Sequence, residues 1–321
     1  MNESGSVLWL ARILFYFIDR AYSKTMQVGF TLPSFAKVNL QLRILGKRED
    51  GFHEIFTVFQ TVSLDDSLTF EPGERLSLTT NLKYLPTDGR NLVIKAATAL
   101  QKKFGVQTGA RIHLEKRIPS PGGLGGGSSN GAVALIGLAR LWQIDCLEDD
   151  LSEIVADLGS DALFFLSGGT AIGRGRGEII EPIDEIEEQF ILIVTPNVRV
   201  STREAFRRID APTLTNEALD HILRVCRLEA ESLDLRHSVL KNDFEKSVFH
   251  AFPEIERVKN TLLELGAVNA AMSGSGASVF AIFDKEETWQ AAQKALDREV
   301  NWRKFAVSTV SRSAYREALQ F

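Results

Sequence analysis

Cysteine is almost missing from this chain: Cys146 and Cys226 are the only two in 321 residues. That excludes a disulfide-built scaffold and a four-cysteine zinc site, and free thiols fit a reducing, cytoplasmic setting. An excess of basic charge is missing too. Thirty-seven Lys and Arg face 42 Asp and Glu, a formal net charge of −5. Without a long basic run, such a chain makes a poor sequence-independent nucleic-acid binder. Any phosphate it holds is therefore expected to be gripped locally, by a loop. Membrane-spanning runs are lacking as well. Val7–Ile18 is strongly apolar but carries Arg12 and falls short of the roughly 18–20 residues a bilayer needs, so no stable membrane insertion is expected. No repeat of 20–50 residues is visible. What remains is globular in character, 44% apolar and 25% charged, with length for about two domains.

Residues 1–30 read as an extension of uncertain status. Glu3 precedes the apolar run where a signal peptide carries basic residues, and no small-x-small site follows closely. Three readings stand: an over-extended start with Met26 as initiator, a helix packed on the body or on a neighbouring chain, and a membrane-surface anchor.

After Met26 the pattern turns to strands. Lys37-Val-Asn-Leu-Gln-Leu-Arg-Ile-Leu45 alternates, with Val38, Leu40, Leu42 and Ile44 on one face and Lys37, Asn39, Gln41 and Arg43 on the other. That is a half-buried strand. A polar turn follows from Gly46 to Gly51, and residues 52–64, 68–70, 76–80 and 111–115 read as further strands. Residues 91–104 have helical spacing, with Gly105 just past the end. The first half is thus α+β. A buried strand over 189–195 opens the second half, with helices expected around 201–209, 216–230 and 242–265, and a small-residue turn at 271–278 feeding another strand.

The most informative stretch is Pro119-Ser120-Pro121-Gly122-Gly123-Leu124-Gly125-Gly126-Gly127-Ser128-Ser129. It runs into a segment, Gly131–Trp142, that is apolar nearly all round. Such a segment should be a buried helix. Glycines this dense are costly to order, so the backbone is expected to lie very close to something. The serines are expected to cap the helix and offer hydroxyls, and a buried helix N-terminus attracts anions, phosphate above all. A flexible hinge is the plainer alternative. No Gly-Lys-Ser/Thr, no G-x-G-x-x-G and no protein-kinase signature set is present, so this would be a phosphate cradle of a third kind. Downstream, Asp161 precedes Ala-Leu-Phe-Phe165. It reads equally as a helix N-cap or as a carboxylate at a pocket rim, poised to accept a proton.

Four blocks together resemble the GHMP kinase superfamily: Ala36-Lys-Val-Asn-Leu40, Arg48-Glu-Asp-Gly-Phe-His-Glu54, the loop Gly122–Asn130, and Gly159-Ser-Asp-Ala-Leu-Phe-Phe165. Val200-Ser-Thr202, Asn242-Asp-Phe-Glu245 and Met272-Ser-Gly-Ser-Gly276 follow in the family's order, so the resemblance spans roughly residues 31–315. The Asp-Gly-Phe-His-Glu block resembles the branch acting on a cytidine diphosphate-linked methylerythritol in non-mevalonate isoprenoid synthesis. The resemblance implies a two-domain α+β fold, with a ribosomal protein S5 domain 2-like ATP-binding domain over 31–188 and an α/β C-terminal domain over 189–321. It implies transfer of the ATP γ-phosphoryl to the substrate's 2-hydroxyl with Mg²⁺, by a monomer or homodimer. By motif, Asp161 becomes the general base and Lys37 its charge partner. Pro119 to Ser129 cradle ATP, His53 and Phe52 meet cytosine, Asn39 lines the cleft, and Ser129 is the hydroxyl for the metal. Phosphoryl transfer asks mainly for positioning and charge stabilisation, and a neighbouring lysine favours the ionised form of a carboxylate. The alternatives are another GHMP small-molecule kinase, of the homoserine or mevalonate type, and a catalytically silent nucleotide sensor. Phe35, Ser120-Pro121, Asn130, Ala162-Leu163 and Phe52 depart from the family's usual Pro, Met-Gly, Asp, Val-Pro and Tyr. Asn130 is expected to remove a charge near the phosphates.

Overall fold

A long β-hairpin is the frame on which everything else is placed. The computed structural model describes residues 29–209, 211 and 216–320; the readings of residues 1–28 fall outside them. β1 (Phe30–Lys47) and β2 (His53–Gly73) pair antiparallel from Phe30 opposite Phe70 to Lys47 opposite His53. The stretches expected as separate strands at 52–64 and 68–70 are therefore one strand. The register shifts at Phe35/Ala36, Asn39/Gln41 and Ile44/Gly46. Bulges of this kind bend and twist a strand and re-aim its side chains. The expected half-burial is corrected as well: Ala36 to Leu42 are all buried, Lys37 and Asn39 at 2% exposure and Gln41 at 3%. Both faces of β1 are covered, because a second layer packs on the hairpin.

β3 (Ser77–Thr80), β4 (Gly109–Glu115), β5 (Thr170–Gly175) and β6 (Ile179–Pro182) extend the hairpin. The path runs β3-β4-β2-β1, with β5 on the far stretch of β2 and β6 beyond it. Helix Leu92–Phe104 is capped as expected: the Asn91 side chain accepts from the Val93 N–H, and Gly105 closes the helix at φ 67°. It packs with helix Gly126–Leu141 on Leu32, Phe59, Leu68 and Phe70 of the sheet.

The second sheet is β11-β7-β10-β9, made of β7 (Phe190–Pro196), β9 (Asn269–Met272), β10 (Val279–Phe283) and β11 (Trp302–Ser308). Its Ile191, Ile193 and Phe280 share a core with Val38 and Leu40 of β1. The expected boundary at 188/189 falls between β6 and β7, but two elements cross back. β8 (Lys241–Asn242) adds parallel to β1, and helix Arg312–Leu319 returns to the first core. There Tyr315 is fully buried and donates its hydroxyl to the Phe165 carbonyl at 2.6 Å. The helix expected over 242–265 breaks into Glu245–Ala251 and Pro253–Glu264. Pro253 has no N–H and drives Phe252 out of helical geometry, to φ −136° and ψ 73°. No helix among the described residues is long and apolar enough to cross a membrane.

Candidate active site

Residues from both halves of the chain meet in a cleft of about 350 Å³. β1 brings Lys37 and Asn39, and the glycine loop brings Gly123, Gly125 and Ser128. The 160–161 turn brings Ser160 and Asp161; the second half brings Thr202, Phe206, Gly274 and Ser275. Lys37 Nζ lies 3.1 Å from Asp161 Oδ2. It also donates to Asn39 Oδ1 at 2.6 Å and to the Gly123 carbonyl at 3.1 Å. Asn39 Nδ2 in turn donates to Thr57 Oγ1 at 2.7 Å. A buried ammonium is tolerable only when its donors are satisfied, and here they reach three acceptors, one of them Asp161, whose side chain is 34% exposed. The capping alternative for Asp161 is removed: the short helix that follows is Phe164–Ser167, and its N-cap is Leu163.

The glycine loop is pinned between β1 and the turn at 273–278. The Lys37 N–H donates to the Leu124 carbonyl at 3.0 Å, Ser278 N to the Gly122 carbonyl at 3.2 Å, and Ser273 Oγ to the Gly123 carbonyl at 3.0 Å. Gly125 sits at φ +69°, where a Cβ would meet the Phe165 ring at 2.7 Å and Lys37 Cγ at 3.0 Å. Gly123, at φ +76°, would drive a Cβ into the Ser273 carbonyl. The close approach expected of this loop is thus an approach to the protein itself. The expected serine cap is corrected: Gly125 is the N-cap of helix Gly126–Leu141 and no side chain caps it. The first-turn N–H groups lack side-chain partners there, which suits an anion.

The two serines part ways. Ser128 lines the cleft, whereas Ser129 is fully buried with its hydroxyl 2.8 Å from Ser34 Oγ. The hydroxyl that reaches the cleft is therefore that of Ser128, not Ser129. Asn130 also points inward: its Nδ2 donates to Ser34 Oγ at 2.8 Å and to Asp66 Oδ2 at 2.9 Å. Asp66 is held further by the Lys116 ammonium and by the Arg117 and Ile118 N–H groups. Asn130 is thus a buried strut beneath the loop rather than a missing charge beside the phosphates. Burial pushes the Lys116 ammonium below its usual range, against the pull of Asp66. Among the described residues no cluster of three His, Cys, Asp or Glu could hold a metal.

A second cavity, about 730 Å³, adjoins the first and is lined by Lys47, Phe52, His53, Arg203, Phe206 and Arg207 among others. The turn that presents Phe52 and His53 explains its own sequence. Asp50 accepts from the Phe52 N–H at 3.0 Å, and Gly51 takes φ +82°. Glu54 accepts from Arg48 Nη1 at 2.6 Å and from the Gly175 N–H at 2.9 Å. His53 stacks on Phe206 with ring centroids 5.2 Å apart. Burial first, then Lys47, lowers the His53 pKa below the ordinary value, which favours the neutral ring, with one donor and one acceptor. Phe52 is 54% exposed and lies under the Arg176 guanidinium at 4.8 Å. Sequence reasoning gave no role to Arg176, Phe206, Ser160 or Thr202. Thr202 lies in the Val200-Ser-Thr202 block and Ser160 in the Gly159–Phe165 block, whereas Arg176 sits in an unremarkable Gly-Arg-Gly-Arg-Gly run that carries no signal.

The chain is similar to known proteins in both sequence and fold. Residues 91–169 match the family described as GHMP kinases N terminal domain, and residues 217–301 match GHMP kinases C terminal. A 4-diphosphocytidyl-2-C-methyl-D-erythritol kinase of Lachnoclostridium phytofermentans is 37% identical over 83% of this chain and 90% of its own length. That of Carboxydothermus hydrogenoformans is 39% identical over 77% and 86%. A crystal structure of 4-(cytidine 5'-diphospho)-2C-methyl-D-erythritol kinase superposes with a TM-score of 0.71 at 33% identity, covering 87% of this chain and 99% of that one. Homoserine kinase from Cytophaga hutchinsonii shares the fold, with a TM-score of 0.68 at 19% identity over 90% and 96% of the two chains.

Proposed function

The chain belongs to the GHMP kinases, and within them to the 4-diphosphocytidyl-2-C-methyl-D-erythritol kinases; from that membership we propose how its cleft transfers a phosphoryl group. The reaction moves the γ-phosphoryl of ATP to the 2-hydroxyl of 4-diphosphocytidyl-2-C-methyl-D-erythritol, a step of the non-mevalonate isoprenoid pathway. The observation that carries the assignment of roles is the Lys37–Asp161 pair at 3.1 Å, set between the uncapped helix at Gly126 and the His53 pocket.

Asp161 accepts the proton of the 2-hydroxyl as that oxygen bonds to phosphorus and the bond to the ADP oxygen breaks. Proton acceptance late in the transfer suits a loose phosphoryl transition state. Lys37, fixed by Asn39 and the Gly123 carbonyl, holds the carboxylate in place and puts positive charge beside the acceptor oxygen. The backbone N–H groups of the Gly126–Leu141 first turn face the ATP phosphates and stabilise charge that moves to the leaving oxygens. His53, stacked on Phe206, pairs with the polar edge of cytosine, beside Phe52.

Mg²⁺ would supply charge neutralisation across the phosphate oxygens. This ion commonly relies on phosphate and water ligands, which fits a cleft offering single oxygens rather than a cluster; the Ser128 hydroxyl is the candidate.

ADP release from the purified chain, with the cytidylyl substrate set against homoserine and mevalonate, tests the reading. Turnover confined to the cytidylyl substrate is expected. Preference for either competitor would overturn the substrate, and no turnover with any of the three would point to a silent nucleotide binder.

A further inference from the structure

The acceptor hydroxyl belongs at Asp161 and the cytosine at His53, so the diphosphate that joins them must cross where the two cavities meet. Among the described residues, four line both cavities: Ser160, Arg176, Thr202 and Phe206. Arg176 is the only charged side chain among them. Lys47, Arg203 and Arg207 line the base cavity alone. Lys37 lines the reaction cavity alone and is already committed to Asp161, Asn39 and the Gly123 carbonyl. The geometry points to Arg176 as the residue that holds the diphosphate of the cytidylyl substrate, an assignment that rests on the reading of the cleft given above.

Three features suit it to that task. Its side chain is 43% exposed, so it can turn toward a ligand without unfolding a contact network. It is held loosely, by Glu178 at 3.5 Å from Nε and by the face of Phe52 at 4.8 Å. A guanidinium presents a planar fork of donors that matches phosphate oxygens two at a time, which an ammonium cannot. Its backbone, by contrast, is placed firmly. Glu178 accepts from the Arg176 N–H at 2.5 Å, and Glu54 accepts from the Gly175 N–H at 2.9 Å. Glu54 belongs to the same turn that presents His53. The carboxylate thus ties the base-reading turn to the phosphate-reading arginine, setting the distance between the two contacts. On the other side Gly177 abuts Asp161, with a Cβ built there falling 3.4 Å from Oδ1. One short turn therefore links base, diphosphate and reacting hydroxyl.

The test is calorimetric binding of CDP, CMP and cytidine to the intact protein and to Arg176→Gln and Arg176→Lys, together with KM for ATP and for the cytidylyl substrate. The native chain should prefer CDP over cytidine. Arg176→Gln should reduce that ratio by about 10- to 100-fold, the range for losing hydrogen bonds to a charged group. It should raise KM for the cytidylyl substrate, leaving cytidine affinity and KM for ATP within about twofold. Arg176→Lys should recover part of the loss. An unchanged CDP-to-cytidine ratio in Arg176→Gln would overturn the assignment while leaving the reading of the cleft intact. So would an equal loss for CDP and cytidine, which would make Arg176 a support for Phe52. A native chain that binds neither CDP nor cytidine would overturn the reading of the cleft, and this assignment with it.

Discussion

Replacing Asp161 by Asn removes one charge from the cleft and keeps its shape, so the result isolates what the carboxylate does. Asn cannot take up the hydroxyl proton. General-base assistance is worth about 10²–10⁴-fold, or about 3–5 kcal/mol of barrier, and kcat for the cytidylyl substrate should fall by that factor. Stability should change much less. Lys37 keeps Asn39 and the Gly123 carbonyl as acceptors, and the carboxylate it loses is one-third exposed. A charge-assisted contact so placed is worth about 1–2 kcal/mol after screening by solvent. On the proposed roles, in which the loop and not Asp161 holds the phosphates, KM for ATP should stay within about threefold. Lys37→Met should cost a similar factor in kcat. The double variant should lose far less than the product of the two, because residues that act as a unit are not additive. Steady-state ADP release and thermal melts measure all of this. If Asp161→Asn turned over within tenfold of the native rate while melting normally, the proton-acceptor role would be refuted and the pair would be only an ion pair that braces β1.

Other outcomes follow from the same geometry. Gly125→Ala places a methyl against Phe165 and Lys37 in a left-handed backbone; it should lower stability by about 1–3 kcal/mol and raise KM for ATP at least about tenfold, readable by melting and initial rates. His53→Ala should raise KM for the cytidylyl substrate at least about tenfold and leave KM for ATP unchanged, since a site that pairs with a polar edge loses most when one side goes missing. The pH profile checks the same residue. Burial holds the His53 pKa below the usual value, so native KM should rise only as pH falls through that depressed value; a rise centred above neutral pH would contradict the assignment. Tyr315→Phe deletes the hydroxyl that meets the Phe165 carbonyl in a fully buried site, and should cost about 1–3 kcal/mol of stability with kcat little changed.

Residue order and local chemistry carried the parts that depend on neighbours in sequence. Asn91 and Gly105 mark both ends of their helix, since capping needs only a side chain or a missing Cβ at one position. The glycine loop announced a tight turn before a buried helix. Asp50, Gly51 and Glu54 marked the turn around His53, because hydrogen bonds within seven residues build most of it. What sequence could not decide was which side chains turn inward once a second layer lands on them. Lys37 and Asn39 alternate like solvent-facing residues, yet lie buried because the glycine loop and the second sheet close over β1. Ser128 and Ser129 are adjacent and chemically alike, but the helix turns one toward the cleft and the other toward Ser34. Asn130 read as a lost charge and proved to be a strut for Asp66, 64 residues away in sequence. Arg176 and Phe206 carried no local signal, since their setting comes from the packing of one half of the chain on the other. Sequence by itself determined the turns and the caps of the Leu92–Phe104 helix; tertiary packing decided which groups share a cleft, because contacts between distant segments follow from burial across layers and leave no local period to read.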